Sequence, residues 1–419
     1  MLFVDLFAGL GGFHIALQEL GHECVFASEI DQILREVYQK NFGISPAGDI
    51  RKVPAEQIPP HDILCGGFPC TPFSKAGKQL GVKDKKHGDL FSEIVRILDY
   101  HRPKYFILEN VQNLYYFDGN RTWVDFEKLL REKLKYSVSH KIYSPHEFGI
   151  PQNRKRLFIV GSKKGLSHFN WIDEYKTSFK TDIHSILNGK EDIKRLSKER
   201  IQCINVWQKF LNKIPKTEPL DIPIWAAEFG ATYPYENSTP FSIPNNILGK
   251  YKGAFGMSLK GFSSKEKFSL LPSYARTQEN EFPNWKKRFI RLNREFYEKY
   301  KSELIDIIPQ IQNLNVSSWQ KFEWNCQELP RKITNYILQF RASGLRVKKN
   351  DFAPSLVCPS TQIPILGWEN RYLSRKEALK LHSMEKLKHL PESDTACFRA
   401  LGNAVNVSLV KMIAKKLII

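Results

Sequence analysis

The sequence lacks several features that would place it in other classes of protein. Its seven cysteines include no C-x-x-C pair, and no apolar run approaches the roughly 18 residues that a membrane-spanning helix needs. It also has no internal repeat and no export signal with a basic start and a small-residue cleavage site. We therefore expect no disulfide framework, no metal site and no membrane attachment, and a cytoplasmic location.

Positive charge is concentrated in the second part of the chain. The formal net charge is +19, of which residues 1–161 contribute +2 and residues 162–419 contribute +17. One-sided charge of this size is typical of proteins that bind a polyanion, because each neutralised phosphate releases condensed counterions. A surface that is charged only for solubility is the alternative.

The organisation along the 419 residues predicts two lobes in an α/β fold. The N-terminal part alternates short apolar runs with amphipathic stretches, which is typical of strand–helix units around a largely parallel sheet. This alternation fades after about residue 165, and helical periodicity returns in the last fifty residues or so. We predict a first domain over 1–165, a smaller irregular domain over 166–370, and a C-terminal segment over 371–419 that returns to the first domain.

Glycine or polar residues follow the predicted strands of the first domain. Open parallel sheets bind ligands beyond the carboxyl ends of their strands, so the residues at these ends are expected to converge on one site: Gly9, Glu29, Asp49, Cys70 and Glu109. Glu29 lies 20 residues after Gly9, where a carboxylate can accept hydrogen bonds from ribose hydroxyls, and Asp49 is an acceptor for an adenine amino group. The alternative is that both acids cap local helices or remain solvated.

Three short motifs supply groups for chemistry. Cys70 stands between Pro69 and Thr71-Pro72 at the end of an apolar strand, where proline can fix the thiol. Glu109-Asn110-Val111 follows another predicted strand, and Gln152-Asn153-Arg154-Lys155-Arg156 precedes an apolar run. The six other cysteines are interpreted as inert small hydrophobes. Thiol, carboxyl and guanidinium form a coherent catalytic set.

The order of these motifs resembles the cytosine-carbon-5 DNA methyltransferase family of bacterial restriction–modification systems. The resemblance runs from the first strand to the C-terminus and rests on six segments: Asp5 to Phe13, Gly67 to Ser74, Glu109 to Val111, Gln152 to Arg156, Arg371 to Ala378, and Leu401 to Val405. Two departures occur. Thr71 replaces a common glutamine, and Ala342 stands where proline is usual. Neither departure removes a reactive group.

The resemblance implies a Rossmann-like class I methyltransferase domain with a smaller irregular target-recognition domain. It implies methyl transfer from S-adenosyl-L-methionine to a flipped-out cytosine through a covalent Cys70 adduct, with Glu109 at the ring nitrogen and Arg156 at the carbonyl. Arg154 would order the nucleophile loop or favour the thiolate. The cofactor residues are expected to be Phe7, Ala8, Gly9, Gly11, Glu29, Asp49, Ile50, Pro69, Asn403 and Val405.

DNA contacts are expected mainly in the second domain. The candidates are Ser74, Lys250, Lys252, Lys260, Arg291, Arg294 and Arg341. The predicted helix from Trp285 to Lys301 carries an apolar stripe, interpreted as core, that starts at Trp285 and ends at Phe296. Its basic residues, Lys286 among them, form a solvated or phosphate-facing side.

The expected partner is double-stranded DNA, bound by a monomer, and a cognate restriction endonuclease would share the target sequence without binding the chain.

Three other functions fit parts of the pattern. A transfer RNA cytosine methyltransferase shares the glycine turn and the Glu109 motif. A nicotinamide oxidoreductase would use the turn and Glu29 but leaves Cys70 without a role. An inert DNA-binding scaffold would need a broken active site, which the sequence does not have.

Overall fold

The structure, a computed structural model, describes residues 1–69, 90–178, 180–187, 193–356 and 362–418. The chain forms two compact units. The first comprises residues 1–192, 351–360 and 374–419, and the second comprises residues 193–350 and 361–373. The first unit thus extends past residue 165, because Ile172 and Ile183 are buried in it.

A six-stranded sheet forms the centre of the first unit. Its strands are β1 (Leu2–Leu6), β2 (Glu23–Ser28), β3 (Ile63–Gly67), β4 (Tyr105–Val111), β5 (Ser137–Tyr143) and β7 (Arg156–Ser162). Their order across the sheet is β2-β1-β3-β4-β7-β5. The first four are parallel, and β7 runs antiparallel to both β4 and β5. The central strands are buried on both faces, as their continuous apolar sequences predict. The predicted α/β fold with a largely parallel sheet is confirmed.

Helices cover this sheet. Those of the first unit are α1 (Gly12–Gln18), α2 (Gln32–Phe42), α3 (Leu90–His101), α4 (Asn113–Tyr116), α5 (Arg121–Lys128), α11 (Arg375–Leu381), α12 (Asp394–Asn403) and α13 (Val407–Leu417). In α3 the spacing of Ile94, Ile97 and Leu98 places all three in the core. A short parallel pair, β6 (Gln152–Asn153) with β12 (Ala353–Pro354), joins two distant segments of the same unit.

The second unit contains a sheet of six short strands. These are β8 (Ile224–Trp225), β9 (Lys321–Asn325), β10 (Ile337–Arg341), β11 (Gly344–Lys348), β13 (Ile365–Leu366) and β14 (Arg371–Tyr372). Their order across the sheet is β14-β13-β10-β11-β9-β8. The helices are α6 (Lys198–Lys213), α7 (Asn245–Leu248), α8 (Ser264–Ser269), α9 (Asn284–Leu304) and α10 (Ile308–Gln312). In the described parts of both units no helix is long and apolar enough to cross a membrane.

The stripe predicted along α9 is wrong at its first position. Trp285 is 55% exposed, whereas Ile290, Phe296 and Leu304 are buried. The buried face also includes Asn293, whose amide accepts from the backbone N–H of Trp225 at 2.7 Å and donates to the carbonyl of Pro223 at 3.0 Å. The buried face of α9 thus includes a polar residue that satisfies backbone groups of a distant segment.

Candidate active site

The glycine turn between β1 and α1 has a backbone that few side chains tolerate. Phe7, Gly9 and Gly11 all have positive φ, at 57°, 55° and 80°. A side chain at Gly11 would lie 2.3 Å from the ring of Phe42, whereas among the described residues the nearest atom to a side chain at Gly9 would be the carbonyl oxygen of Phe7, at 3.9 Å. Gly11 therefore serves packing, and Gly9 leaves room for a ligand to approach the backbone.

Glu29, just after β2, lies against this turn. Its Oε2 accepts from the N–H of Gly9 at 2.9 Å, and its Oε1 accepts from the N–H of Asp31 at 2.8 Å. Burial raises the pKa of Glu29, although these backbone donors oppose the shift. The carboxylate is thus fixed beside Gly9 and keeps lone pairs for further donors.

Asp49 lies in a different local environment from Glu29. Its carboxylate caps a short 3-10 helix through the N–H of Arg51 at 3.1 Å and pairs with that arginine's guanidinium at 2.6 Å. Arg51 lowers the pKa of Asp49. The capping alternative is thus present for Asp49, while the neighbouring predicted residue, Ile50, is 3% exposed and belongs to the core.

The C-terminal segment returns to the glycine turn. A side chain at Gly12 would lie 2.5 Å from Val405 and 2.9 Å from Met384, so the start of α1 packs directly on this segment. Ala8 is buried at the turn, and Asn403 ends α12 with an exposed side chain. Val405 is therefore brought to the predicted cofactor turn.

Glu109 lies where β3 and β4 end side by side. It is in register with Gly67 of β3, and a side chain at Gly67 would lie 3.3 Å from the Glu109 Oε2. The amide of the next residue, Asn110, donates to the carbonyl of Phe68 at 3.1 Å. These contacts hold the backbone that leads to Pro69, the last described residue before position 70, next to the Glu109 carboxyl.

Arg156, at the start of β7, forms an ion pair with Glu109. Its Nε lies 2.8 Å from Oε1 of Glu109, and the two side chains are 16% and 8% exposed. Burial raises the pKa of Glu109, and the charges of Arg156 and Arg154 oppose this shift without cancelling it. The result is a buried carboxyl that holds its proton to higher pH than an ordinary glutamate, beside a cation.

Arg154 is buried and binds the protein's own backbone. Its Nη2 donates to the carbonyl of Ala404 at 2.9 Å, its Nη1 donates to Oγ of Ser355 at 3.3 Å, and its backbone N–H donates to Oγ of Ser144 at 2.8 Å. Ala404 precedes Val405, so Arg154 fixes the segment that packs on Gly12. These contacts support a positioning role for Arg154.

Sequence reasoning missed His382, which is fully buried near the two arginines. Its Nδ1 donates to the carbonyl of Ala378 at 3.0 Å, and its carbonyl accepts from the N–H of Val407 at 3.0 Å. Burial, together with the charges of Arg154 and Arg156, lowers the pKa of His382 to about 3. The ring is therefore neutral, and no motif in the sequence signals its location.

Cys70 and Ser74 lie outside the described residues, so their predicted roles stay predictions. Burial raises the pKa of four other cysteines: Cys24 and Cys203 to about 12, Cys397 to about 11, and Cys65 well above its usual value. None of these four is a thiolate at neutral pH. This fits their interpretation as inert hydrophobes.

The DNA-contact candidates of the second unit fall into two groups. Lys250, Lys252, Lys260 and Arg291 are exposed, and Arg341 is half-buried. Arg294 instead donates through Nε to the fully buried Glu228 at 3.0 Å and lies over the ring of Tyr233 at 4.5 Å. A guanidinium committed to a buried carboxylate is a poor candidate for a phosphate contact, because leaving Glu228 unpaired is costly.

Comparisons with known proteins agree with this arrangement. The sequence profile of the C-5 cytosine-specific DNA methylase family matches residues 1–419. The Type II methyltransferase M.HhaI of Haemophilus parahaemolyticus is 38% identical over 220 residues, which cover 52% of this chain and 67% of that protein. The Type II methyltransferase M.AluI of Cellulosimicrobium cellulans is 28% identical over 490 residues, which cover 99% of this chain and 91% of that protein.

Other relatives are matched over half of their own length or less, at 45%, 50% and 40%. The fold is also similar to a crystal structure described as a DNA modification methyltransferase encoded within an E. coli prophage. The TM-score is 0.54 at 18% identity, and the match covers 100% of this chain and 98% of that one. This likeness confirms the predicted Rossmann-like fold. The chain belongs to the C-5 cytosine-specific DNA methylase family, and the predicted enzyme class, a DNA (cytosine-5-)-methyltransferase, is thereby confirmed.

Proposed function

We propose that this chain is the modification enzyme of a bacterial type II restriction–modification system, and that it methylates carbon 5 of one cytosine within a specific duplex sequence. The observation that carries the proposal is the buried Glu109–Arg156 pair beside the end of β3, next to the backbone that leads to Cys70. A carboxyl with a raised pKa and an adjacent guanidinium match the ring nitrogen and the carbonyl oxygen of cytosine.

Cys70 would act as the nucleophile. Carbon 5 of cytosine is a weak nucleophile until a thiolate adds to carbon 6, which makes carbon 5 enamine-like. Glu109 would share its proton with ring nitrogen 3 as the Cys70–carbon 6 bond forms, and Arg156 would donate to the carbonyl oxygen. After methylation, loss of the carbon 5 proton to a base would let the thiolate leave.

S-adenosyl-L-methionine, when bound, would supply an electrophilic methyl group. The room beside Gly9 among the described residues and the fixed carboxylate of Glu29 fit a nucleoside, because Glu29 retains acceptor capacity for ribose hydroxyls. Val405 and the buried Ile50 would contribute apolar contacts. For Asp49 to accept from an adenine amino group, a donor of Arg51 would have to move away, because the arginine already donates to both carboxylate oxygens.

The target base must leave the helical stack, because carbon 6 is inaccessible within duplex DNA. Extrusion costs a few kcal/mol, which interactions in the pocket and along the DNA backbone would offset. The second unit, which lies wholly within the strongly basic part of the sequence, would read the target sequence.

The direct test is transfer of tritium from labelled S-adenosyl-L-methionine to duplex DNA and, in parallel, to transfer RNA. We expect label on duplex DNA, in 5-methylcytosine at one sequence that bisulfite sequencing then identifies. Label on transfer RNA alone would show that transfer RNA, not duplex DNA, is the substrate. Binding of the cofactor without transfer to DNA or transfer RNA would favour an inert scaffold.

Arg154 offers a test of positioning within this site. We expect Arg154→Lys to lower the free energy of unfolding by about 2–3 kcal/mol, because lysine cannot reproduce the buried bonds to Ala404 and Ser355. Thermal or urea unfolding measures this decrease. Arg156→Lys, at a more exposed position, should slow methylation with less effect on stability. Equal decreases in stability in the two variants would contradict the division of roles.

A further inference from the structure

Two half-buried lysines of the second unit lie on a shared aromatic surface, which we call the lysine platform (Lys286, Lys321, Trp225, Tyr274 and Trp285). Nζ of Lys321 lies 5.1 Å from the ring centroid of Tyr274 and 6.0 Å from that of Trp225. Nζ of Lys286 lies 5.8 Å from the ring of Trp285 and donates to the carbonyl of Tyr274 at 2.9 Å. Tyr274 therefore contacts both ammonium groups.

Neither ammonium forms an ion pair with a carboxylate in the described part of the chain. The buried acids Glu228, which accepts from the hydroxyl of Tyr274, and Glu323, on the same strand as Lys321, are already paired with Arg294 and Arg346. Burial lowers the pKa of both Lys286 and Lys321, and for Lys321 the positive charge of Lys286 adds to the effect. The platform thus holds two like charges that repel each other, and no carboxylate of the described residues is paired with either.

Residues beside the platform are exposed to solvent. Lys321 donates through Nζ to the carbonyl of Ala342 at 3.3 Å, in the turn between β10 and β11, where Ala342 and Ser343 are exposed. Trp285 presents more than half of its surface to solvent. Each ammonium has one protein acceptor for its three N–H groups within the described residues, so both can donate to an outside anion.

We propose that the lysine platform binds the phosphate backbone of duplex DNA. The proposal rests on the proposed function only in its choice of duplex DNA as the polyanion. Phosphate oxygens fit the platform better than base edges, because lysine is a point charge without the planar fork that reads guanine. A phosphate diester would neutralise the repulsion that the free protein tolerates. Such interactions position a protein on DNA without reading sequence.

The test is the salt dependence of duplex binding for Lys286→Met, Lys321→Met and the double variant. The slope of log binding constant against log salt should become shallower by about 0.9 for each phosphate that a variant no longer neutralises, and by about 1.8 for the double variant. Lys287→Met is the matched control on α9, because the Lys287 ammonium is already held by Glu281. Its slope should equal that of the wild type.

Thermal unfolding of the free variants separates a DNA-binding role from misfolding. Because each methionine removes a repelling charge and keeps the side-chain stem, the melting temperature should stay the same or rise as the slope becomes shallower. If the melting temperature falls, the Lys286→Arg/Lys321→Arg double variant distinguishes DNA binding from misfolding. Because arginine restores both positive charges, the salt dependence of binding should return to the wild-type slope.

A double methionine variant with the wild-type slope would overturn the proposal, as would a shallower slope that the arginine variant fails to restore. A slope change confined to transfer RNA would overturn it as well. Absence of methyl transfer, together with the expected slope change on duplex DNA, would instead refute the proposed function and leave the platform standing.

Discussion

Replacing Cys70 by serine is expected to reduce methyl transfer by about 10⁴-fold or more while salt-dependent binding of duplex DNA persists. A serine hydroxyl has no anionic form near neutral pH, so it would not add to carbon 6 as a thiolate does, and carbon 5 would stay unactivated. The buried groups that would surround the base, Glu109 and Arg156, are unchanged by the substitution. Retained turnover would contradict covalent catalysis.

A duplex with 5-fluorocytosine at the target gives a second measurement on the same variant. Fluorine cannot leave carbon 5 as a proton does, so the wild-type protein should form an adduct that survives denaturing electrophoresis. Cys70→Ser should form none. Cys24→Ser is the control, because the pKa of Cys24 is about 12 and its thiol bonds only within the fold. If Cys24→Ser also fails to form the adduct, the assignment of Cys70 as the nucleophile would be contradicted.

The parts of the fold set by local sequence were predictable. Strands β1, β3 and β4 are short apolar runs, and a parallel sheet brings their carboxyl ends to one edge. The approach of Glu109 to Gly67, and of Glu29 to Gly9, follows from that geometry. Both approaches can be predicted once the order of the strands in the sheet is known, without any other contact between distant segments.

The parts set by long-range pairing were not predictable from a single sequence. Arg154 bonds to Ala404, which lies 250 positions later, and Arg294 pairs with Glu228 across 66 positions. No periodicity specifies such partners, so the sequence could predict a role for each arginine but not the groups that each one contacts. The end of the first unit could not be read from the sequence pattern for the same reason. Its strand–helix alternation fades after about residue 165, whereas residues up to 192 pack in that unit.

Glu109→Gln is expected to lower kcat by about 10²–10⁴-fold, the usual contribution of a positioned general acid. The physical reason is the raised pKa of Glu109, which follows from burial and which Arg156 and Arg154 offset only in part. A raised pKa keeps the carboxyl protonated at low pH, and the proton is released as pH rises. The wild-type kcat/KM should therefore decline as pH rises through the pKa of Glu109.

The residual activity of Glu109→Gln should lack that decline, since the amide has no proton to release in this range. Glu29→Gln is the matched variant, because Glu29 is also an acid whose pKa is raised by partial burial in the same unit. If Glu29 holds ribose hydroxyls, its replacement should raise KM for S-adenosyl-L-methionine more than it lowers kcat. A Glu109→Gln enzyme that retains kcat within about tenfold, or keeps the wild-type pH profile, would show that proton sharing with the base is not what this buried carboxyl contributes.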